Sequence, residues 1–361
     1  MGAAISIDDA GWGECVVPAV PVDAGLAETV RRRVGASPDW LTRTAPLPWL
    51  VDALCAFIGK PFAYVSPELV DMIGLVVSQD NSCRYCYGIQ RTILRILGHP
   101  DEQVERLLRD VHLADVSPAE RAALDFARRV SRANPPPGRA EFAQVVAAGL
   151  SPVAVTEVAA IAAGGNFMNR VATLLALPPD SLEAASRTRM FRVMRPLIAW
   201  RMRPRRKHPV PPPTPNDGPC ARLVAALGDS PAASALRSIF DAAWASDVLP
   251  RRTKTLMLAV IARAMGCGYG EQEARRFLRD DGVSARDVDE VLSALDSPRL
   301  DARERRLVPF ARETVRYQTA TIQARFREVC RDFTPAEILE TAGTVALANA
   351  ACRLSVVLDA C

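Results

Sequence analysis

An internal repeat restricts the fold more than any other feature of the chain. "NSCRYCYGIQRTIL" (81–94) matches "MGCGYGEQEARRFL" (265–278), and "ERAALDFARRVSR" (120–132) matches "ERRLVPFARETVR" (304–316). "SPVAVTEVAAIAAGGNFMNRVATLL" (151–175) matches "TPAEILETAGTVALANAACRLSVVL" (334–358). The blocks keep their order at offsets of 184, 184 and 183 residues. A period this long predicts two tandem domains rather than a solenoid. Apolar residues recur at helical spacing throughout, and sustained alternation is missing, so the expected class is all-α. The expected organisation is an N-terminal tail (1–36), a first repeat (37–178), a basic and proline-rich linker (179–219) and a second repeat (220–361).

With 361 residues, 49% of them apolar, the chain has ample material for a core. The net charge of +4 is uneven: nine of the positive residues lie between Arg187 and Lys207, with no acidic residue among them. The remainder is therefore slightly acidic, which argues against a nucleic-acid binder. Met190, Met194 and Leu197 fall on one side of the basic segment, where Pro196 should disturb a helix. Contact with an anionic membrane is one use for such a segment. Docking on the chain's own acidic surface is the simpler one, and "PVPPPTP" beyond it reads as a stiff spacer. Nine scattered cysteines, an odd number, fit reduced thiols and predict a cytoplasmic protein. No secretory signal or membrane span is expected.

The local signals mark helix ends. "SPAE" at 117–120 and "TPAE" at 334–337 are capping boxes. Asp80, Asn81 and Ser82 break the pattern before Cys83, and one of them is expected to cap the next helix, which Gly98 then closes. Cys83 and Cys86 thus fall in a first helical turn, where free amides and the helix dipole favour a thiolate. At i and i+3 they share a face and are placed to cycle between dithiol and disulfide. The polar neighbours Asp80, Asn81, Arg84 and Tyr85 argue against inert burial, although two structural cysteines remain an alternative. Zinc would need two more ligands, and His99 and His112 lack the required spacing. No metal or cofactor is expected. Gly164 and Gly165, inside a helical pattern, read as close packing. Arg128, Arg132, Arg170, Arg312, Arg316 and Arg353 recur in both halves and suggest salt bridges between helices.

These motifs together resemble the carboxymuconolactone decarboxylase and alkylhydroperoxidase D superfamily. The resemblance rests on Asn81, Cys83, Tyr85 and Cys86, on "ERAALDFAR" from Glu120, and on Asn166, Asn169 and Arg170. It implies two tandem alkylhydroperoxidase D-like helical repeats packed as a pseudo-dimer, and thiol-based reduction of a hydroperoxide or disulfide. In that scheme Cys86 attacks, Cys83 resolves, and an outside dithiol donor resets the pair. The helix dipole alone favours Cys83 as the more acidic thiol. The resemblance also implies a homo-oligomer. The family's relay glutamate and histidine fall on Asp71 and Gln90. Gln90 cannot take up a proton near neutrality, so turnover should be weak unless Asp71 serves through a water. A straight helix would leave Asp71 ~18 Å from Cys83, so the relay requires a turn at 80–82. In the second repeat Thr255, Gly270 and Ala274 stand at the glutamate, second-cysteine and histidine positions. Cys267 is then expected to lack a disulfide partner, and that half to be structural. A non-enzymatic redox sensor or scaffold, and a decarboxylase acting on a lactone acid, are the alternative functions.

Overall fold

The computed structural model describes residue 7 and residues 11–202 and 218–358. The proline-rich spacer at 209–215 and part of the basic segment lie outside the described residues. Among those described, every regular element is a helix. The starts are written locally. Ser66, Ser117, Ser151, Ser230 and Thr334 each cap a helix through the side-chain oxygen, with proline next in sequence. A hydroxyl there satisfies a free amide, and proline loses nothing because its amide would be unpaired anyway. Both expected capping boxes form, Ser117 with Glu120 and Thr334 with Glu337.

Two long helices, Pro152–Leu175 and Pro335–Val357, form the centre. They are apolar on nearly every face, which only a helix surrounded by others can sustain. They pack on one another and on the shorter helices of both halves. Their backbones come close to aromatic neighbours because the contact residues are glycines. A β-carbon at Gly164 would sit 2.5 Å from the Phe57 ring, and one at Gly343 2.5 Å from the Trp49 indole. Gly164→Ala should therefore overpack the core and cost ~1–3 kcal/mol, read as a lower urea midpoint at unchanged slope.

Residues at matching repeat positions reach across between the halves. Glu157 accepts the amides of Ala63, Tyr64 and Val65 and the hydroxyl of Ser230. Its counterpart Glu340 accepts the Trp49 indole N–H at 2.6 Å and pairs with Lys254 at 3.2 Å. Arg170 donates to the carbonyls of Thr314 and Val315, and Arg353 to those of Ser131 and Val315. This corrects one expectation: both arginines are held by helix-end carbonyls and by Asn166 and Asn349, not by carboxylates. Arg132 and Arg128 do meet a carboxylate as expected, bridging to Asp80 at 2.7 Å and 3.9 Å.

The start of the linker folds. Ser181–Ala185 and Arg189–Met202 are helical, and the second runs through Pro196 without ending. The helix lies against Arg84–Leu97, while Met190, Val193, Met194 and Leu197 on it are exposed. No helix among the described residues is long and apolar enough to cross a membrane.

Candidate active site

The helix Pro67–Asp80 ends one short turn before Arg84–Leu97 begins. The chain reverses through Ser82, whose φ of 49° is left-handed. This supplies the turn that the relay requires. It also corrects the expected cap: none of Asp80, Asn81 or Ser82 caps the second helix. Cys83 does, its sulfur accepting the Cys86 amide at 3.4 Å. With Ser82 left-handed and Cys83 extended, the sulfur is the side-chain atom that hangs over the first-turn amides.

The polar neighbours are clamps, not signs of exposure. Arg84 pairs with Glu183 at 3.0 Å, the Tyr85 hydroxyl donates to Asp180 at 3.0 Å, and Asn81 donates to the Val77 carbonyl and the Ser131 hydroxyl. Cys83 is 0% and Cys86 7% exposed, so the polar neighbours do not keep the pair from being buried. The Ser181–Ala185 helix and the loop before it thus cover the start of the cysteine helix. A surface cleft of about 760 Å3 reaches Arg84, one of the two residues between the cysteines, and is lined also by Trp12, Cys15 and Arg43. Glu183→Gln, which removes the ionic clamp, should speed alkylation of Cys86 about 2- to 5-fold, the equivalent of ~0.5–1 kcal/mol of local opening.

The two thiols are electrostatically unlike. Burial raises the Cys83 pKa, but the Cys86 thiol and amide, the Thr173 hydroxyl and the Tyr85 amide outweigh it and hold the thiol below its ordinary value. Cys86 is pushed well up, first by its hydrogen bond to Cys83, then by burial. The thiolate therefore belongs on Cys83, with the Cys86 S–H facing it, as the helix dipole suggests. Around the pair stand polar groups of which the sequence motifs included Asn169 alone. Asn169 approaches Cys86, and Thr173 stands between Cys83 and Tyr317. Tyr317 comes from the second half, its ring under the Arg170 guanidinium at 5.4 Å. Thr319, also from that half, donates to the Ser82 carbonyl at 3.2 Å. Asn169 Oδ1, Thr173 Oγ1 and the Tyr317 hydroxyl are buried without a well-formed hydrogen bond. Such a cluster next to a dithiol offers polar anchorage to a small guest. Asn169 stood in the family motif. Nothing local in the sequence marks Tyr317.

The relay positions fall in one helix–helix seam. Asp71 is buried and bridges Lys60 at 2.7 Å. Burial raises its pKa and Lys60 opposes this, so the carboxylate is committed to an ammonium that sequence reasoning did not consider. It is not a solvated helix carboxylate. Gln90 packs against Gly74, one turn after Asp71: a β-carbon on that glycine would be 3.1 Å from the Gln90 amide. Its Oε1 is buried and unpartnered. Gln90 lies four residues beyond Cys86 on the same helical face, and its open acceptor can hold a water or thiol but cannot remove a proton. Among the described residues, no three His, Cys, Asp or Glu side chains cluster in a way that would hold a metal ion.

The second half repeats the cap. Cys267 begins Gly268–Asp280 and its sulfur accepts the Gly270 amide at 3.3 Å. The expectation that Cys267 has no partner is corrected: the Cys352 thiol, from the long helix Pro335–Val357, lies beside it. The repeat register offered a signal for this, since Cys352 falls over Asn169.

Residues 231–313 match the carboxymuconolactone decarboxylase family. The match falls on the half without the cysteine pair, so it supports the resemblance independently of the motifs quoted for it. No curated protein matches the chain. Two solved structures are similar. One is an uncharacterized peroxidase-related protein from Silicibacter sp. TM1040, at 23% identity over 47% of this chain and 94% of that one, with a TM-score of 0.41. The other is an alkylhydroperoxidase core, an uncharacterized peroxidase-related protein from Ralstonia eutropha JMP134, at 26% identity over 46% and 93%, with a TM-score of 0.41.

Proposed function

We propose that the chain reduces hydroperoxides or disulfides through Cys83 and Cys86, with electrons from an external dithiol. The observation that carries this is the cap itself: a sulfur at a helix start, accepting an amide at 3.4 Å, with the thiol of that same amide's residue beside it. Helix-start amides and a donated S–H both stabilise a thiolate, the reactive form.

The roles implied by the family resemblance are then exchanged. The Cys83 thiolate attacks the terminal peroxide oxygen, the O–O bond breaks, and the departing alkoxide takes the proton that Cys83 released on ionising. Cys83 becomes a sulfenic acid. The Cys86 thiol attacks that sulfur and expels water, leaving the disulfide. A donor dithiol reduces it by two exchange steps and leaves as its own disulfide. Asn169, Thr173 and Tyr317 supply polar contacts to the guest. No histidine stands at the relay position and Asp71 is tied to Lys60, so the general-base contribution of roughly 10²- to 10⁴-fold is missing and turnover is slow.

The burial of both sulfurs favours a second reading, a sensor oxidised once and reduced slowly. Peroxide consumption with dithiothreitol separates the readings. The assay is run in a C267S/C352S background, which removes the other facing thiols. Repeated turnover there that is lost on adding C83S/C86S supports the reductase. One equivalent consumed without turnover supports the sensor. A rate that C83S/C86S leaves unchanged rejects both and leaves the lactone-acid decarboxylase to be assayed in the C83S/C86S variant.

A further inference from the structure

We propose that Cys267 and Cys352 are a second redox site, a dithiol that closes to a disulfide between two helices. In the repeat register Gly270 stands over Cys86, and the side chain it lacks leaves a space. Both sulfurs converge on that space: a β-carbon at Gly270 would lie 3.0 Å from Cys352 Sγ and 3.2 Å from Cys267 Sγ. The second sulfur has not been lost but relocated, from the third residue of the cysteine helix to the facing long helix. There Cys352 takes the place that Asn169 holds beside Cys86. This is why a search for C-x-x-C overlooks it.

The electrostatics repeat those of the first half. The Cys352 thiol donates to Cys267 and lowers its pKa, burial opposes this, and the Gly270 amide and Ser355 hydroxyl assist. Cys352 is in turn held well up by Cys267 and by burial. One sulfur thus ionises while the other keeps its proton, as oxidation followed by condensation requires. Both sulfurs lie within 3.2 Å of one point, the place of a β-carbon at Gly270, and a disulfide closes at ~2.05 Å. Hydrogen peroxide is small enough for sites that are each 1% exposed. The Cys267 thiolate takes one peroxide oxygen and becomes a sulfenic acid. The hydroxide released recovers the proton that Cys267 gave up. The Cys352 thiol then displaces a second water to close the disulfide. Cys220 is the competing sulfur, close enough to raise the pKa of Cys352 further. Its own thiol is pushed far up by burial and by Glu273, so it remains protonated.

The test uses the full-length C83S/C86S chain, so that it stands whether or not the first pair is a reductase. The protein is treated with hydrogen peroxide while folded, then unfolded, alkylated and cut with trypsin. The expected product is a reductant-sensitive link between residues 264–275 and 332–353, the tryptic peptides that carry Cys267 and Cys352. It should form in near-equimolar yield, and C352N should abolish it. The wild-type chain should give the same link, so the result does not depend on a variant folding. Full alkylation of both thiols, over-oxidised Cys267 without a link, or a link to the peptide carrying Cys220 would each overturn the proposal.

Discussion

Cys83→Ser is expected to lower the rate of peroxide-driven oxidation at the first site on the order of 10³-fold or more, because it removes the ionised sulfur. Cys86→Ser should behave differently. Cys83 would still attack and its sulfenic acid would persist for trapping by dimedone, but the disulfide could not close. The family resemblance implies the reverse, with sulfenate on Cys86. The pH profile adds a second check. Cys83 lies below the ordinary thiol value of 9.0, so the single-turnover rate should rise with pH and level off before that value. If the rate instead rises through and beyond it, the attacking sulfur is the one whose pKa is raised, Cys86.

The largest stability effect is expected at Glu340. Its carboxylate accepts the Trp49 indole and the Ser246 hydroxyl and neutralises Lys254, which is itself buried and also donates to the carbonyls of Ala243 and Ser246 at 2.6 Å. Glu340→Ala leaves an uncompensated buried ammonium and should cost ~3–5 kcal/mol in urea unfolding at neutral pH. Burial already lowers the Lys254 pKa, with Glu340 opposing, and losing Glu340 lowers it further. Between that depressed value and the ordinary 10.5, the unfolded chain binds more protons than the folded one. Stability of the variant should therefore recover as pH rises through this window. Adding Lys254→Met should restore most of the loss at neutral pH. A deficit independent of pH and unrelieved by Lys254→Met would mean that the carboxylate's role is packing alone.

Much of the fold was legible because its signals are local. Ser117 with Glu120 and Thr334 with Glu337 announce helix starts within four residues. Gly164 and Gly165 in an otherwise apolar helix announce close approach, and Phe57 and Val77 occupy that space. What was illegible is non-local or depends on one torsion angle. Cys83 became the cap because Ser82 is left-handed, which no pattern of polar residues reports. Lys60 reaches Asp71 from the turn before that helix. Tyr317 and Thr319 reach the first site from the other half of the chain. The polarity around Cys83 was misread because Arg84 and Tyr85 spend their polar atoms on Glu183 and Asp180. Arg170 and Arg353 were expected to meet carboxylates, but helix ends offer free carbonyls that serve a buried guanidinium as well. Cys352 was readable from the repeat register alone, once the question was where a missing sulfur had gone.

The central claim is that Cys83 and Cys86 exchange electrons with an outside agent in the folded protein. Equilibrating the native chain with dithiothreitol buffers of graded redox state, followed by acid quench and tryptic mapping, tests it most directly. Trypsin cuts after Arg84, between the two cysteines, so the disulfide appears as residues 85–91 linked to the peptide ending at Arg84. The account predicts that this link forms and disappears reversibly as the buffer is varied, with both sulfurs changing together. Thiols that stay alkylatable across the whole range, or a link that forms only after unfolding, would contradict it.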